Sequence, residues 1–333
     1  MKLHTLSGLR PATLWVSAAL AIFAHGASAA DATSGSPRSQ AHAATAKPSN
    51  PQLVTPAINR KVEALLRQMT LAEKIGQLMQ YNDQGSSAPT TTADDTASAM
   101  AANPETKDHV DAMQLAGKGE LGSMLNVIGA QKTRTFQRAA VNSRLHIPIL
   151  FGADVIHGFR TIYPVPLGLS ASWDPQLITE VSRMAAVEAT TAGVKWFYSP
   201  MVDISRDARW GRSTEGAGED AYLGSAMARA YIRGYQGDDL SKADSVAASV
   251  KHYAAYGAAE AGREYNTTDM SDIRLRQDYL PPYKAAVEAG TATMMSSFNA
   301  LNGVPATANP YLMDTILRKE WGFDGFVVSD YTA

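Results

Sequence analysis

The residues of this chain with catalytic potential stand one at a time at the ends of short apolar runs. Residues 325–331 (GFVVSDY) deliver a single carboxylate, Asp330. A carboxylate held that way can attack an anomeric carbon and form a glycosyl-enzyme, dividing one difficult displacement into two easier ones. It can equally cap the helix that follows. In residues 151–158 (FGADVIHG), Asp154 occupies a second such end. There an ionised carboxylate can accept two sugar hydroxyls or fix a loop through backbone amides, while His157 reads as a structural turn residue. Lys251-His252-Tyr253 closes a third run. Alternation sends neighbouring strand side chains to opposite faces, so Lys251 and His252 reach one substrate only at a bulge or a strand end. Gripping the hydroxyls of one ring is one use for the pair. A Schiff base on Lys251, as in an aldolase, is another. A third is a metal held by His157, His252 and an Asp, although no H-x-H or H-E-x-x-H spacing supports it.

Two polar loops add candidates. Residues 203–212 (DISRDARWGR) carry three arginines and two aspartates, the pattern of an ion-paired loop. Arg212, after Trp210-Gly211, can fork onto hydroxyls or orient a carboxylate. Trp210 is either a sugar-stacking platform or packing, and Glu215, Glu219 and Asp220 read as solvated or structural. In residues 262–270 (GREYNTTDM), Arg263 or Met270 can border a pocket, or the whole stretch can be a loop leading to the next helix.

Positioning these groups requires a scaffold that gathers strand ends. From residue 120 a rhythm of apolar run, loop and amphipathic helix sets in. The runs are 122–127, 147–153, 194–202, 246–250, 292–298 and 325–329, ending at Asn126, Asp154, Asp203, Lys251-His252, Asn299 and Asp330. Helices are expected over 175–192, with Asp174 as N-cap, Pro175 at the first position and Gly193 as the stop, and over 273–289. Alternating strands and helices mean parallel β/α architecture. No G-x-G-x-x-G opens a helix after the first strand, which argues against a dinucleotide-binding sheet. The expected fold is therefore α/β, a (β/α)8 barrel, whose strand ends converge on one catalytic mouth. Upstream, Ile58, Val62, Leu65, Leu66 and Met69 repeat at helical spacing, and Thr70 with Glu73 forms a capping box. Residues 82–104 read as a surface excursion.

The net charge of −2, with Lys+Arg 30 against Asp+Glu 32, gives no electrostatic support for nucleic acid. The absence of cysteine excludes disulfides, thiolate metal sites and a cysteine nucleophile. Residues 1–30 read as a signal peptide: Lys2 and Arg10, an apolar stretch over 12–24, and small residues for cleavage after Ala29 or Ala30. That stretch is short for a membrane span, so no membrane association is expected after cleavage. The expected destination is secreted, in a bacterial periplasm. Residues 31–55 read as a disordered linker, and residues 56–333 as the barrel.

Taken together, the motifs resemble glycoside hydrolase family 3, specifically its periplasmic β-glucosidase-like members. The matching pieces are residues 69–78 (MTLAEKIGQL), 152–158 with Asp154, 161–169 (TIYPVPLGL), 209–212 (RWGR), 251–253 (KHY), 302–305 (NGVP) and 328–330 (VSD), in the family's order. The resemblance implies a retaining exo-β-glucosidase that hydrolyses terminal non-reducing β-D-glucosyl residues without metal or organic cofactor. Asp330 is then the nucleophile, and Asp154, Arg212, Lys251 and His252 bind hydroxyls of the sugar. Phe298 stands where some relatives carry a pocket tyrosine. Residues 253–257 (YAAYG) differ from the Pro-Gly-His-Gly run of the N-acetylhexosaminide-cleaving members, which points to the two-domain branch. In that branch the acid/base Glu comes from a following sandwich domain. The barrel is thus expected to be incomplete at its C-terminus, with the acid/base domain absent and weak or no activity from these residues alone. A β-xylosidase on the same scaffold, or an inactive sugar-binding remnant, are the alternatives.

Overall fold

A computed structural model describes residues 49–82, 111–331 and 333. Six strands, β1 (Gln80–Asn82), β2 (Ser123–Leu125), β3 (Leu150–Ala153), β4 (Trp196–Phe197), β5 (Ala247–Tyr253) and β6 (Thr293–Ser296), follow one another in chain order. A small hairpin, β7 (Ala300–Leu301) with β8 (Val304–Pro305), intervenes before the seventh strand of the main sheet, β9 (Phe326–Val328). Every pairing in the main sheet is parallel, and the order is β1-β2-β3-β4-β5-β6-β9. A doubly wound sheet reverses its strand order at a switch point. Here every crossover steps the same way, so the sheet curls. The described residues thus supply seven parallel strands of a (β/α)8-type barrel, and all the polar strand ends named above lie at its C-terminal face.

The helices form for local reasons. Helix Pro175–Thr191 begins where Asp174 accepts from the amides of Gln176 and Leu177, with Pro175 needing no donor of its own. Its inner face is narrow (Ile178, Ser182, Ala185, Ala189), which lets helix Ala221–Gln236 approach closely. A Cβ on Gly234 would lie 2.4 Å from that of Ser182. Outside the sheet, Phe197, Ile232, Val246, Val250 and Met294 fill the layer beneath the helices. Inside it, Leu125, Trp196, Tyr198 and Met295 form the barrel interior.

Two expectations are corrected. The disordered linker expected over 31–55 does not extend to its end. Asn50 is buried and donates to Gly290 O at 2.6 Å, Ser49 N donates to Asp324 Oδ2 at 3.0 Å, and Gln52 pairs with the Asp238–Leu240 backbone. The earlier part of that linker and the signal peptide over 1–30 lie outside the described residues, as does the excursion beyond Asn82. Strand β1 takes residues 80–82, which carry no apolar period. The segment over 273–289 is helical in three pieces, Asp272–Arg274, a wider-turned Leu275–Tyr279 and Pro281–Glu288. Pro281 and Pro282 offer no N–H to the carbonyls of the preceding turn. Helix Pro56–Gln68 forms as expected, but among the described residues nothing buries its apolar stripe: Ile58, Val62 and Leu66 stay exposed.

Gly152 ties this frame to the mouth. A Cβ there would lie 2.1 Å from the hydroxyl of Tyr198, which is buried and accepts from Gln80 Nε2 at 2.7 Å. Gly152→Ala is expected to destabilise by about 1–3 kcal/mol through overpacking. Denaturant unfolding checks it, with Gly117→Ala, where a Cβ meets nothing within 4 Å, as the control.

Candidate active site

The mouth is assembled from strand ends far apart in sequence. Asp154 follows β3, and its Oδ1 accepts from Lys251 Nζ of β5 at 2.6 Å. The Lys251 side chain is almost fully buried, whereas that of Asp154 is 49% exposed, so the pair opens to solvent on the carboxylate side. His252, the next residue, is wholly buried. The ladder from β5 to β6 shifts register between Val250 and Tyr253. That break in the period of two brings neighbouring side chains to one site, as the sequence required.

Asp330 follows β9. Its Oδ2 lies 3.4 Å from His252 Nε2, and its Oδ1 accepts from the Tyr331 amide at 2.7 Å. Burial pushes the Asp330 carboxyl above the usual aspartate value, against the pull of His252, the Tyr331 N–H, Lys251 and Arg212. His252 moves the opposite way. Burial lowers it, Lys251 and Arg212 add to that, and Asp203 opposes. The ring is therefore biased toward its neutral form.

Arg212 forks onto Glu215, Nε to Oε1 at 2.7 Å and Nη2 to Oε2 at 2.9 Å, and its guanidinium lies 5.4 Å from the centre of the Tyr256 ring. Tyr256 and Phe298 wall the histidine, with ring centres 5.0 and 5.5 Å from it. Tyr265 stacks edge-on against Phe298 at 5.0 Å and reaches solvent. All five residues singled out from sequence, Asp330, Asp154, Arg212, Lys251 and His252, thus share one polar mouth with aromatic walls.

Other candidates fall elsewhere. Trp210 is buried packing, with Nε1 3.4 Å from Glu264 Oε1. His157 Nδ1 meets Tyr163 O at 2.9 Å and belongs to a turn. Arg209 pairs with Asp207 and Arg206 with Asp278, as an ion-paired loop should. Asp220 caps helix Ala221–Gln236 through the Leu223 amide. Met270 packs on the core, and Arg263 sits exposed in its turn.

Sequence reasoning missed Asp203 as more than a strand end, and missed Tyr283 altogether. Asp203 Oδ2 accepts from the His252 amide at 3.0 Å and stands 2.8 Å from His252 Nδ1. Its Oδ1 accepts from the Tyr283 hydroxyl at 2.6 Å. The signal for Asp203 was its setting, between Val202 and Ile204 in an apolar run; Tyr283 gave no local signal.

A family model described as the glycosyl hydrolase family 3 N terminal domain matches residues 70–333. The chain belongs to glycosyl hydrolase family 3. Its barrel is that of the family's N-terminal domain. Among similar proteins is the periplasmic beta-glucosidase of Salmonella typhimurium, 41% identical over 285 residues, covering 85% of this chain and 35% of that one. A beta-xylosidase of Formosa agariphila is 41% identical over 207 residues, covering 58% of this chain and 29% of that one. The solved beta-glucosidase from Listeria innocua in complex with glucose superposes with a TM-score of 0.70 at 41% identity, covering 81% of this chain and 37% of the other. This family 3 chain spans about a third of the length of these relatives.

The Lys251–Asp154 pair should show in stability. Asp154→Ala strands a buried ammonium and is expected to cost about 1–3 kcal/mol. Adding Lys251→Met to that variant should restore part of the loss, because no charge is then left unpaired. A double-mutant cycle by denaturant unfolding measures it.

Proposed function

We propose that the protein is a retaining exo-β-glucosidase of family 3, acting on terminal non-reducing β-D-glucosyl residues through a covalent glycosyl-Asp330 intermediate. The observation that carries this reading is one strand-end carboxylate, Asp330, 3.4 Å from a buried imidazole in a mouth shared with the Asp154–Lys251 and Arg212–Glu215 pairs. In the first step an Asp330 oxygen bonds to the anomeric carbon and the aglycone oxygen leaves with the bonding pair, taking a proton from a general acid. In the second, water gives a proton to that same group, now acting as base, while its oxygen bonds to the anomeric carbon and Asp330 leaves as the carboxylate. Asp154, Arg212, Lys251 and His252 hold the sugar's hydroxyls. Nearby Asp154 and Glu215 are each committed to a cation, which argues against either as the general acid. The Asp154 carboxylate also engages the Lys251 ammonium, which favours hydroxyl binding over Schiff-base chemistry.

The test is a 2-deoxy-2-fluoro-β-glucoside with a dinitrophenolate leaving group, which departs without acid help. One equivalent of label is expected on the peptide bearing Asp330, and none in Asp330→Asn. Label elsewhere, or none, would sink the proposal and favour a sugar-binding remnant. Only the ionised carboxylate attacks. Since its pKa is raised, labelling should fall away as pH drops through a value above 3.8; a limb below that value contradicts the burial argument.

A β-xyloside preference is the second reading, prompted by the xylosidase similarity. Aryl glucoside against aryl xyloside separates the two, since the xyloside lacks the hydroxymethyl group. The proposed location is the periplasm, supported by the N-terminal signal pattern and the name of the Salmonella relative. Cell fractionation should find the protein there, with a mature N-terminus at Ala30 or Asp31.

A further inference from the structure

The environment of His252 sets its proton. The Asp203 side chain is fully buried, as is that of His252. A carboxylate oxygen offers lone pairs only. Oδ2 of Asp203 lies 2.8 Å from His252 Nδ1, so Nδ1 must carry a hydrogen. The same oxygen takes the His252 amide at 3.0 Å, which fixes the ring to its own backbone. The Tyr283 hydroxyl, 2.6 Å from Oδ1 of Asp203 and 2.7 Å from the His252 carbonyl, holds the carboxylate from its other side. Burial keeps the tyrosine protonated and therefore a donor. At the opposite edge of the ring, Nε2 is buried and makes no hydrogen bond. It faces Asp330 Oδ2 at 3.4 Å.

We infer that Asp203 is a positioning residue that holds His252 in the Nδ1–H tautomer, so that Nε2 offers a lone pair beside Asp330 to a hydroxyl hydrogen of the bound sugar. Two acceptors, Nε2 and Asp330, then flank the same space, and the ligand group that fits between them is a donor. The wrong tautomer would be harmful in a specific way. An Nε2–H would point at Asp330, donate to it and draw charge from the oxygen that must attack. The functional half of this inference rests on the glycosidase reading above; the tautomer itself does not.

The experiment uses the protein selectively labelled with ¹⁵N-histidine, with two-bond ¹H–¹⁵N spectra taken near neutral pH. The chain has seven histidines, and the His252 signals are assigned by their loss in His252→Gln. The wild-type protein is expected to show Nδ1 protonated and Nε2 bare. A proton on Nε2, in either the other tautomer or an imidazolium, overturns the inference without recourse to any variant.

In Asp203→Asn the side-chain amide can donate to Nδ1, so the proton is expected to move to Nε2. Labelling of Asp330 by the 2-fluoroglycoside should then slow by about tenfold or more, by analogy with other histidines whose orienting carboxylate becomes an amide. Here the anomeric carbon gains the Asp330 oxygen and loses dinitrophenolate, so no proton donor enters the rate. Retention of the Nδ1–H form in Asp203→Asn, or labelling at the wild-type rate, counts against the positioning role. If the wild-type protein takes no label, the glycosidase reading fails while the nitrogen signals still decide the tautomer.

Discussion

A carboxylate taken out of water costs several kcal/mol unless its oxygens are met by donors. Asp203 meets that condition with groups from three places: the backbone of β5, the ring of His252, and Tyr283 on helix Pro281–Glu288. Those partners come from β5 and the helix that follows it, whereas Asp203 follows β4, so the satisfied carboxylate requires neighbouring β/α units to be in register. It also couples the buried helix layer to the mouth. Tyr283 packs against Tyr253, with ring centres 5.4 Å apart, and Tyr253 donates to the Leu312 carbonyl at 2.9 Å in the next helix. A continuous run of buried phenols thus backs β5 where it delivers Lys251 and His252.

The two reacting-face groups are moved in opposite directions by the same low-dielectric setting. Burial favours the neutral form of each, raising Asp330 and lowering His252. The cations Lys251 and Arg212 then pull both downward, restoring charge to the aspartate and withholding it from the imidazole. The imidazole is thus held toward its neutral form, while on the aspartate burial and the cations oppose each other. Each cation has its own carboxylate, Asp154 or Glu215, so the mouth holds its charges in place before any ligand arrives. Such prior ordering lets dipoles act on a developing charge without rearrangement.

Much of this frame was legible locally. Asp174-Pro175, Thr70 with Glu73, and the recurring apolar runs mark elements through short-range capping and periodicity, and those elements formed. Asp330, Asp154, Lys251 and His252 could be singled out because a parallel β/α chain must gather its strand ends. Strand β1 could not: its three residues, Gln80, Tyr81 and Asn82, owe their conformation to pairing with Ser123–Leu125. The docking of Asn50 on Gly290 spans 240 residues, and no local pattern encodes it. Trp210 was ambiguous for a related reason, since a stacking platform and a buried ring have the same sequence appearance. The role of Asp203 depends on partners 49 and 80 residues away. An aspartate in an apolar run signals that partners exist without saying which they are.

The Tyr283 contact has a consequence for how this barrel can be diversified. Substrate range in such folds is commonly altered by varying the loops around the mouth while the outer helices are treated as inert scaffold. Here one outer helix carries a phenol that the buried carboxylate relies on, so the division between scaffold and loop runs through the middle of a helix. A library confined to the loops would inherit the histidine in its present state. One that included position 283 would also be sampling the protonation of the site, and a phenylalanine arising there by chance would alter chemistry from beneath the strand.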